Sequence, residues 1–502
     1  MIDGQNRNNA QKKTLWETIV LKKFSAPIVI IFLFFTAIAV SFIIAKGGLV
    51  IGIVILCAVI GLPIAYATVA YPVFGIIALL VVSFFINYVS RFLPDDLPIG
   101  LLMDVLTYLL ILGFFVRQKR EHDWTYFNNP ITYFIAAWIG FNLLEVINPN
   151  SVSILAWVYT VRTVGFIMLM YFVFVFNIRS KSQIKLILKV WLILVFIGGI
   201  AGFQQENIGL FPFESHWLHA EPLRFSLLFI AGHLRKWGIF SDPVVYAYNL
   251  VAATLICIAL ILGKIKTGKK IMLGLLAAFF LTVMLYSGTR ASYVMIPAGL
   301  VMLTVLKFNK KLLAWAIVIG MVLGFLIVVP TSNPTLARFQ SAFMPAKDAS
   351  FNVRAENQAR IKPYILTHPI GGGLGSVGIW GQRFAPNSFL AKFPPDSGYV
   401  RVAVEMGYIG LLLFCTFNFI VLYKGCTYYF LIKDPELKTY CLAMILFIFA
   451  FDIGNFAQQA IVQYPSNILF YLSMALLNVA MRLDLQQRNL LPVKKDAVSM
   501  KY

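Results

Sequence analysis

One short stretch places three charged side chains beside a strongly apolar run. Within FPPDSGYVRVAVEMGYIG (393–410), Asp396, Arg401 and Glu405 precede LLLFCTFNFIVLY, a composition typical of a membrane-spanning helix. Arg401 and Glu405 are spaced i, i+4 and are predicted to pair on one helix face. Asp396 and Ser397 lie just before that helix, where either can cap free N–H groups. Capping does not explain the two prolines before Asp396, so its carboxylate is the candidate for chemistry.

Arginines near predicted helix ends can bind an anion. Arg290 lies in YSGTRASY (286–293), at the end of a predicted span. Arg354 and Arg360 lie in SFNVRAENQARI (350–361), which is predicted to form a short amphipathic helix. The planar guanidinium fork suits a phosphate group. Arg354 and Arg360 fall on different faces, so at most one of them faces a given ligand. Structural alternatives stay open, since Arg290 can snorkel at a helix end and loop arginines can be solvated.

Two further arginines are candidate anion or acceptor contacts. Arg162, in WVYTVRTVGF, stands at or just inside a predicted span, where an unpaired charge is costly. An ionisable residue at such a position is a functional candidate by default. Snorkelling to the outer surface is the competing interpretation. Arg235 and Lys236 precede Asp242 and Pro243, which fit a helix N-cap followed by proline at the first helical position.

The remaining polar motifs predict turns. HPIGGGLGSVG (368–378) lacks the strand-to-helix context of a nucleotide-binding loop, so it is predicted to be a tight turn that positions its neighbours. PDDLP (94–98) pairs two carboxylates without other ligands, and a solvated turn is favoured there. The five cysteines show no metal-ligand spacing and no disulfide framework. We therefore predict neither a metal site nor a cofactor.

The elements that must position these residues are membrane helices. The chain has 502 residues, of which 60% are hydrophobic and 13% charged, and its mean hydropathy is +0.81. A soluble domain cannot cover that much apolar surface. Repeated apolar runs indicate an all-α integral membrane protein with about 14 transmembrane helices. The predicted spans are 27–45, 50–69, 71–89, 99–116, 130–147, 159–177, 186–205, 243–263, 271–287, 291–306, 312–330, 398–423, 439–455 and 464–481.

Charge distribution predicts the topology. The net charge of +21 falls mostly in short gaps between apolar runs, the positive-inside pattern, which excludes a nucleic-acid partner as its cause. We predict a cytoplasmic tail at 1–26, a membrane domain at 27–481 and a cytoplasmic tail at 482–502. Two long segments, 206–242 and 331–397, are then extracytoplasmic, and loops of that length usually carry function.

Together these motifs resemble the O-antigen ligase and polymerase superfamily of bacterial membrane glycosyltransferases. SGTRASY resembles its arginine motif at a span end. SFNVRAENQARIKPYILTHPIGGGLGSVG is similar to its arginine-bearing helix followed by a glycine-rich turn, and DSGYVRVAVEMGYIG to its polar pair and helix with Glu and glycines. The resemblance covers most of the chain. It implies a GT-C-like, multi-pass protein of the bacterial cytoplasmic (inner) membrane, with an extracytoplasmic active site.

The resemblance also implies roles for individual residues. Arg290 and Arg354 match the arginines that engage the lipid diphosphate. Asp396 matches a position where the ligase branch typically has histidine, and Ser397 the asparagine that follows. That departure favours a polymerase or another polysaccharide-forming branch. Asp396 is then the candidate catalytic base or acceptor-orienting group, and Arg162, Arg235, Arg360 and Ser397 are further candidate contacts.

The implied reaction moves a glycan from undecaprenyl diphosphate to a hydroxyl of a second lipid-linked glycan, without metal or nucleotide. A chain-length regulator is a further candidate partner. Two alternatives remain: a ligase that transfers the glycan to lipid A core or protein, and a flippase or transporter for lipid-linked sugars. A flippase should line its middle with charges, whereas these charges collect at the outer rim, which favours an enzyme.

Overall fold

The computed structural model describes residues 61–93, 99–230, 232–331 and 349–489, together with isolated positions at 31, 34, 35, 38, 41, 59, 339, 340 and 343. The chain divides into two compact units, Met1–Ala67 and Thr68–Tyr502. In the first unit, residues 61–67 are helical. Apart from the helix that begins at Gly61, the elements discussed below belong to the second unit. The predicted PDDLP turn, the predicted tail at 1–26 and residues 490–502 of the predicted tail at 482–502 lie outside the described residues.

The described part is nearly all helical. Its helices are α1 (Gly61–Ala70), α2 (Pro72–Val89), α3 (Gly100–Glu121), α4 (Pro130–Leu144), α5 (Ile154–Asn177), α6 (Lys181–Asn207), α7 (Pro212–His219), α8 (Pro222–Leu228), α9 (Pro243–Ile261), α10 (Thr267–Leu285), α11 (Arg290–Leu306), α12 (Lys310–Val328), α13 (Ala349–Thr367), α14 (Gly378–Phe384), α15 (Gly398–Leu431), α16 (Pro435–Ala457) and α17 (Ser466–Gln487). Short 3₁₀ turns occupy Ser90–Phe92, Thr125–Phe127, Glu145–Ile147 and Leu390–Lys392. A two-residue hairpin pairs β1 (Phe229–Ile230) with β2 (His233–Leu234).

Ten helices in the described ranges are long and apolar enough to cross a membrane, which makes this a multi-pass membrane protein. Each of the ten overlaps one predicted span. Of the other four, 27–45 falls mostly outside the described residues, and 50–69 does so for half of its length. The span 291–306 coincides with the shorter helix α11, and 312–330 coincides with α12. The total of about 14 spans therefore stays a prediction.

Three helices form the centre of the bundle. α9, α16 and α17 have 78%, 72% and 89% of their most apolar windows buried inside the protein, against 50% or less for the other spans. α9 packs against both α10 and α16, and α16 packs against α17. Since α9 begins with the predicted Asp242 cap, whose carboxylate accepts from the N–H groups of Val244 and Val245 at 2.7 and 3.0 Å, its start is fixed. The capping prediction is confirmed.

The 206–242 segment is folded around two polar side chains. The Gln205 amide oxygen accepts from the N–H groups of Trp237 and Gly238 at 3.2 and 2.9 Å. The Arg91 guanidinium donates to the carbonyls of Gly238 and Phe240 and lies 5.0 Å from the Trp217 ring centroid. The segment thus presents a fixed backbone to the start of α9.

Helix α15 is broken where the glycine-rich turn packs against it. Gly407 adopts φ 66° and ψ −171°, so the predicted helix at 398–423 is two helical pieces joined by a kink, and it extends to Leu431. The Gly372 N–H donates to the Val404 carbonyl and the Gly373 N–H to the Glu405 carbonyl, both at 2.9 Å. The break leaves room for this turn, and the prediction that 368–378 is a positioning turn is confirmed.

Two glycines in this region both have a positive φ, but only one of them has neighbouring atoms close to where a side chain would be. Gly371 has φ +72°, and a Cβ there would lie 2.5 Å from the Glu405 carbonyl oxygen. Gly378 has φ +71° with open space around it. We expect Gly378→Ala to lower the free energy of unfolding by about 1 kcal/mol, from strain alone.

Gly371→Ala should add about 1–3 kcal/mol to that loss, because rigid backbone must move. Thermal unfolding of the purified proteins in detergent measures both. Equal losses in the two variants would contradict the packing of the turn against α15.

Candidate functional site

The ends of several core helices meet in one region. The Tyr248 hydroxyl of α9 donates to the Gly454 carbonyl near the end of α16 at 3.0 Å. Gly398, the first residue of α15, lies against the Asn455 side chain. The Ser241 hydroxyl, just before α9, donates to the Gln463 side chain in the loop between α16 and α17. The starts of α9 and α15 and the end of α16 therefore surround one surface.

Arg354 and Asp396 face each other on this surface. The Arg354 Nε and the Asp396 Oδ2 are 3.8 Å apart, an ion pair too long for a hydrogen bond. Their side chains are 33% and 38% exposed, so both remain accessible. Partial burial raises the pKa of the Asp396 carboxyl above its ordinary value, and the Arg354 charge opposes that rise. The predicted helix at 350–361 exists as the longer helix α13, on which Arg354 lies.

The backbone around Asp396 is held by neighbouring elements. The Gln459 amide nitrogen donates to the Pro395 carbonyl, and the Asp396 N–H donates to the Pro394 carbonyl at 3.1 Å. The buried Ser397 hydroxyl donates to the Asn455 carbonyl at 3.4 Å. Ser397 occupies the cap position of α15 without a side-chain cap bond, so capping is not its role here. The backbone at Pro395, directly before Asp396, is thus held from the α16–α17 loop.

A buried ion pair connects this loop to the glycine-rich turn. The Arg401 Nε donates to the Glu405 Oε1 at 3.2 Å, which confirms their predicted pairing. The Arg401 Nη1 also donates to the Gln459 Oε1 at 2.8 Å. The Glu405 carboxylate further accepts from the backbone N–H groups of Gly375 and Val377. Gln459 is a supporting residue that the sequence did not reveal, because nothing in its local pattern distinguishes it.

Arg235 binds the SGT turn that precedes Arg290 and α11. The Arg235 Nε donates to the Ser287 carbonyl at 2.9 Å, and its Nη2 donates to the Thr289 hydroxyl at 3.1 Å. The Thr289 hydroxyl donates to the Pro243 carbonyl at 3.0 Å. Arg290 follows as the first residue of α11 and is half-buried. Arg235 thus supports the turn that carries Arg290.

The two clusters lie around the start of α9. The Thr289 hydroxyl bonds to the Pro243 carbonyl there. Tyr248, further along α9, is near enough to Asp242 and Arg354 to interact electrostatically with both. The structure therefore brings Arg354 and Asp396 together, and places the Arg235–Arg290 turn on the same helix start.

The other two predicted arginines occupy different environments. Arg162 is paired: its Nε and Nη2 both donate to the Asp104 Oδ2, at 3.1 and 2.6 Å. Asp104, on α3, thus supplies the partner that keeps the Arg162 charge from being unpaired in the span. Arg360 is exposed on α13. Within the described ranges, no group of three or more His, Cys, Asp or Glu side chains is arranged to hold a metal ion.

One protein-family model matches the part of the chain that carries this site. Residues 273–415 match the family model described as O-antigen ligase (Wzy_C). The matched segment contains Arg290, Arg354 and Asp396, and it ends within α15. No curated protein matches the chain. The matched family indicates a ligase- or polymerase-type activity in surface polysaccharide biosynthesis. The match over residues 273–415 supports the resemblance of this chain to the O-antigen ligase superfamily.

Proposed function

We propose that the protein is an extracytoplasmic glycosyltransferase that polymerises undecaprenyl-diphosphate-linked glycans. The observation that carries this proposal is the accessible Arg354–Asp396 pair, which sets a carboxylate beside a cation within the matched segment. Glycosyl transfer from a diphosphate needs both groups: a base for the attacking hydroxyl and positive charge for the leaving group. Aspartate in place of the ligase histidine favours polymerisation over transfer to lipid A core.

In the proposed reaction, an acceptor hydroxyl oxygen forms a bond to the anomeric carbon of the donor. The bond from that carbon to the diphosphate oxygen breaks, and its electron pair leaves with the diphosphate. Asp396 takes the hydroxyl proton or orients the hydroxyl. A raised pKa makes this carboxylate a better base than a fully solvated one.

The leaving diphosphate is assigned to Arg354 and Arg290. Arg354 is adjacent to the base, so it can contact the phosphate nearest the reacting carbon. Arg290 opens α11, where the helix N-terminus adds partial positive charge to its guanidinium. Arg235 supports the turn beneath it, and Arg360, exposed on α13, is assigned a role in attracting anions to the surface.

The location follows from the same charge pattern. We propose the bacterial inner membrane, with cytoplasmic termini and the site on the extracytoplasmic face, where the two long segments lie. A chain-length regulator is proposed as a partner. A ligase that uses lipid A core or protein as acceptor, and a flippase that moves lipid-linked sugar without chemistry, are the competing functions.

Reconstitution separates these functions. Purified protein in liposomes, supplied with undecaprenyl-diphosphate-linked repeat units, should build longer glycans on the carrier, visible as a ladder on gel electrophoresis. Transfer only when lipid A core is added would identify a ligase. Translocation without a new glycosidic bond would exclude both enzymes.

The pH profile tests the assignment of Asp396 and Arg354. The base must be ionised, so activity should fall as pH drops through the raised pKa of Asp396, at higher pH than for a solvated aspartate. Arg354→Ala removes the charge that opposes the rise, so the acid limb should move to still higher pH. It should also lower kcat by about 100-fold, or about 3 kcal/mol.

Lys362→Ala, an exposed cation on the same helix, is the matched control and should keep the wild-type profile. Asp396→Asn should abolish the acid limb and reduce kcat at least as strongly as Arg354→Ala. Superimposable acid limbs in wild type and Arg354→Ala would rule out the electrostatic link between the two residues.

Gln459 tests whether the backbone beneath Asp396 must be fixed. Gln459→Glu retains an acceptor for Arg401 but loses the donor to the Pro395 carbonyl, whereas Gln459→Ala loses both. Displacement of a catalytic group by about 1 Å can cost up to about 100-fold in rate. We expect both variants to reduce kcat by about tenfold or more with little change in KM.

Gln458→Ala, the adjacent glutamine, serves as the control and should retain wild-type kcat. Thermal unfolding of all three proteins shows whether a loss of rate merely follows a loss of stability. A wild-type kcat in Gln459→Glu would mean that the Pro395 carbonyl needs no donor.

A further inference from the structure

The Arg162–Asp104 pair retains unused hydrogen-bonding capacity. Arg162 contacts the Asp104 Oδ2 through Nε and Nη2. In the described part of the chain, its Nη1 and the Asp104 Oδ1 make no hydrogen bond. The Arg162 side chain is 37% exposed, whereas that of Asp104 is 11% exposed. A ligand at this position therefore meets one donor and one acceptor side by side.

The pair is also electrically neutral, which distinguishes it from the other arginine sites. Asp104 compensates the Arg162 charge at 2.6 Å, so an incoming diphosphate would be repelled by the carboxylate as well as attracted by the guanidinium. Ionisable residues within a membrane-spanning segment are functional by default. The function that suits this pair is recognition of a neutral, hydroxyl-bearing group.

Three aromatic rings lie next to the pair. The Tyr159 ring centroid is 4.8 Å from that of Trp380 and 5.1 Å from that of Phe384. The Arg162 guanidinium lies 5.8 Å from the centroid of the same Tyr159 ring. All three aromatic side chains are only half-buried. An apolar, planar surface thus adjoins a polar pair.

The short helix α14 that carries two of these rings is held against α5 by the glycine-rich turn. A Cβ on Gly375 would lie 2.5 Å from the Ala156 carbonyl oxygen, so only glycine permits this approach. Glu405 accepts from the N–H groups of Gly375 and Val377. The aromatic surface is therefore fixed by the same carboxylate that is linked to the Asp396 segment.

We infer that Arg162, Asp104, Tyr159, Trp380 and Phe384 form a binding subsite for a neutral sugar ring of the glycan substrate. A pyranose has a C–H face that packs on an aromatic ring and an edge of hydroxyls that both donate and accept hydrogen bonds. The subsite offers the complementary arrangement. This inference rests on the proposed glycosyltransferase function and adds where its glycan is held.

The subsite is within reach of Asp396. Tyr464 lies near enough to Asp104 and Arg162 to interact electrostatically with both. Gln459, in the same loop, bonds to the Pro395 carbonyl beside Asp396. The five-residue separation between Gln459 and Tyr464 spans at most about 18 Å when fully extended. An oligosaccharide that occupies the subsite can therefore extend toward the carboxylate.

Half-exposed aromatics are also common at membrane surfaces, where they anchor a protein in the lipid headgroups. Phe389 provides a matched control for that role. It lies in the same 331–397 segment and is 51% exposed, and its ring is close to Tyr364 rather than to the Arg162–Asp104 pair. Anchoring predicts similar effects for loss of Phe389 and loss of Trp380, whereas sugar binding predicts an effect of Trp380 alone.

The test is direct binding by the purified full chain in detergent. The probe is the repeat-unit oligosaccharide, released from its lipid carrier and freed of phosphate, and binding is measured by saturation-transfer NMR titration. We expect Trp380→Ala and Arg162→Ala each to weaken binding by about tenfold. Trp380→Phe, which keeps an aromatic face, and Phe389→Ala should bind nearly as wild type.

Inorganic pyrophosphate is the second probe, because it carries the charge of the leaving group without a sugar. Its binding should be unchanged in Arg162→Ala. Wild-type oligosaccharide binding in Trp380→Ala, or loss of pyrophosphate binding in Arg162→Ala, would overturn the subsite. The proposed mechanism is tested separately: an active Asp396→Asn protein would disprove that mechanism and would not alter the binding result for Trp380→Ala and Arg162→Ala.

Discussion

The buried Glu405 carboxylate joins segments of the chain that are distant in sequence. It lies in α15, accepts from Arg401 one turn earlier, and accepts from the backbone of Gly375 and Val377 in the glycine-rich turn. A buried carboxylate is costly unless charge and hydrogen bonds satisfy it. Here the hydrogen-bond partners of the carboxylate belong to α15 and to the glycine-rich turn, the two elements that position the site. Removal of one partner of such a pair typically destabilises a protein by about 3–5 kcal/mol, so separation of the turn from the helix is strongly unfavourable.

Two consequences follow for the geometry of the region. The glycine-rich turn can come close only because α15 breaks at Gly407, where a residue with a side chain would be strained and would collide with the Pro369 carbonyl. Arg401, held by Glu405, in turn presents its Nη1 to Gln459, which bonds to the backbone before Asp396. The interaction at Glu405 thus reaches both the aromatic helix α14 and the Asp396 segment.

Local spacing was enough to predict some of this arrangement. The i, i+4 relation of Arg401 and Glu405, the Asp242–Pro243 helix start and the helix that carries Arg354 all follow from residues close in sequence. Apolar runs likewise predicted each of the ten spans found among the described helices.

Partners from distant segments were not predictable in the same way. The partner of Arg162 could not be named from the sequence because Asp104 lies in another helix, and Gln459 has no local pattern that marks it. The break at Gly407 was missed for a related reason: one glycine within an apolar run does not show that another segment packs against it. Tertiary packing, which single-sequence patterns do not encode, decides these features.

The spacing of Arg354 and Asp396 bears directly on the proposed chemistry. At 3.8 Å the guanidinium lowers the carboxyl pKa by its charge without forming a hydrogen bond to it. A diphosphate bound to Arg354 would offset that charge, so the pKa of Asp396 would rise as the donor binds. A carboxylate with a higher pKa is a stronger base, and the proton of the acceptor hydroxyl is then taken most readily when the donor is present. On the proposed function, the pair couples donor binding to activation of the acceptor, which disfavours reaction of Asp396 with other groups in the empty site.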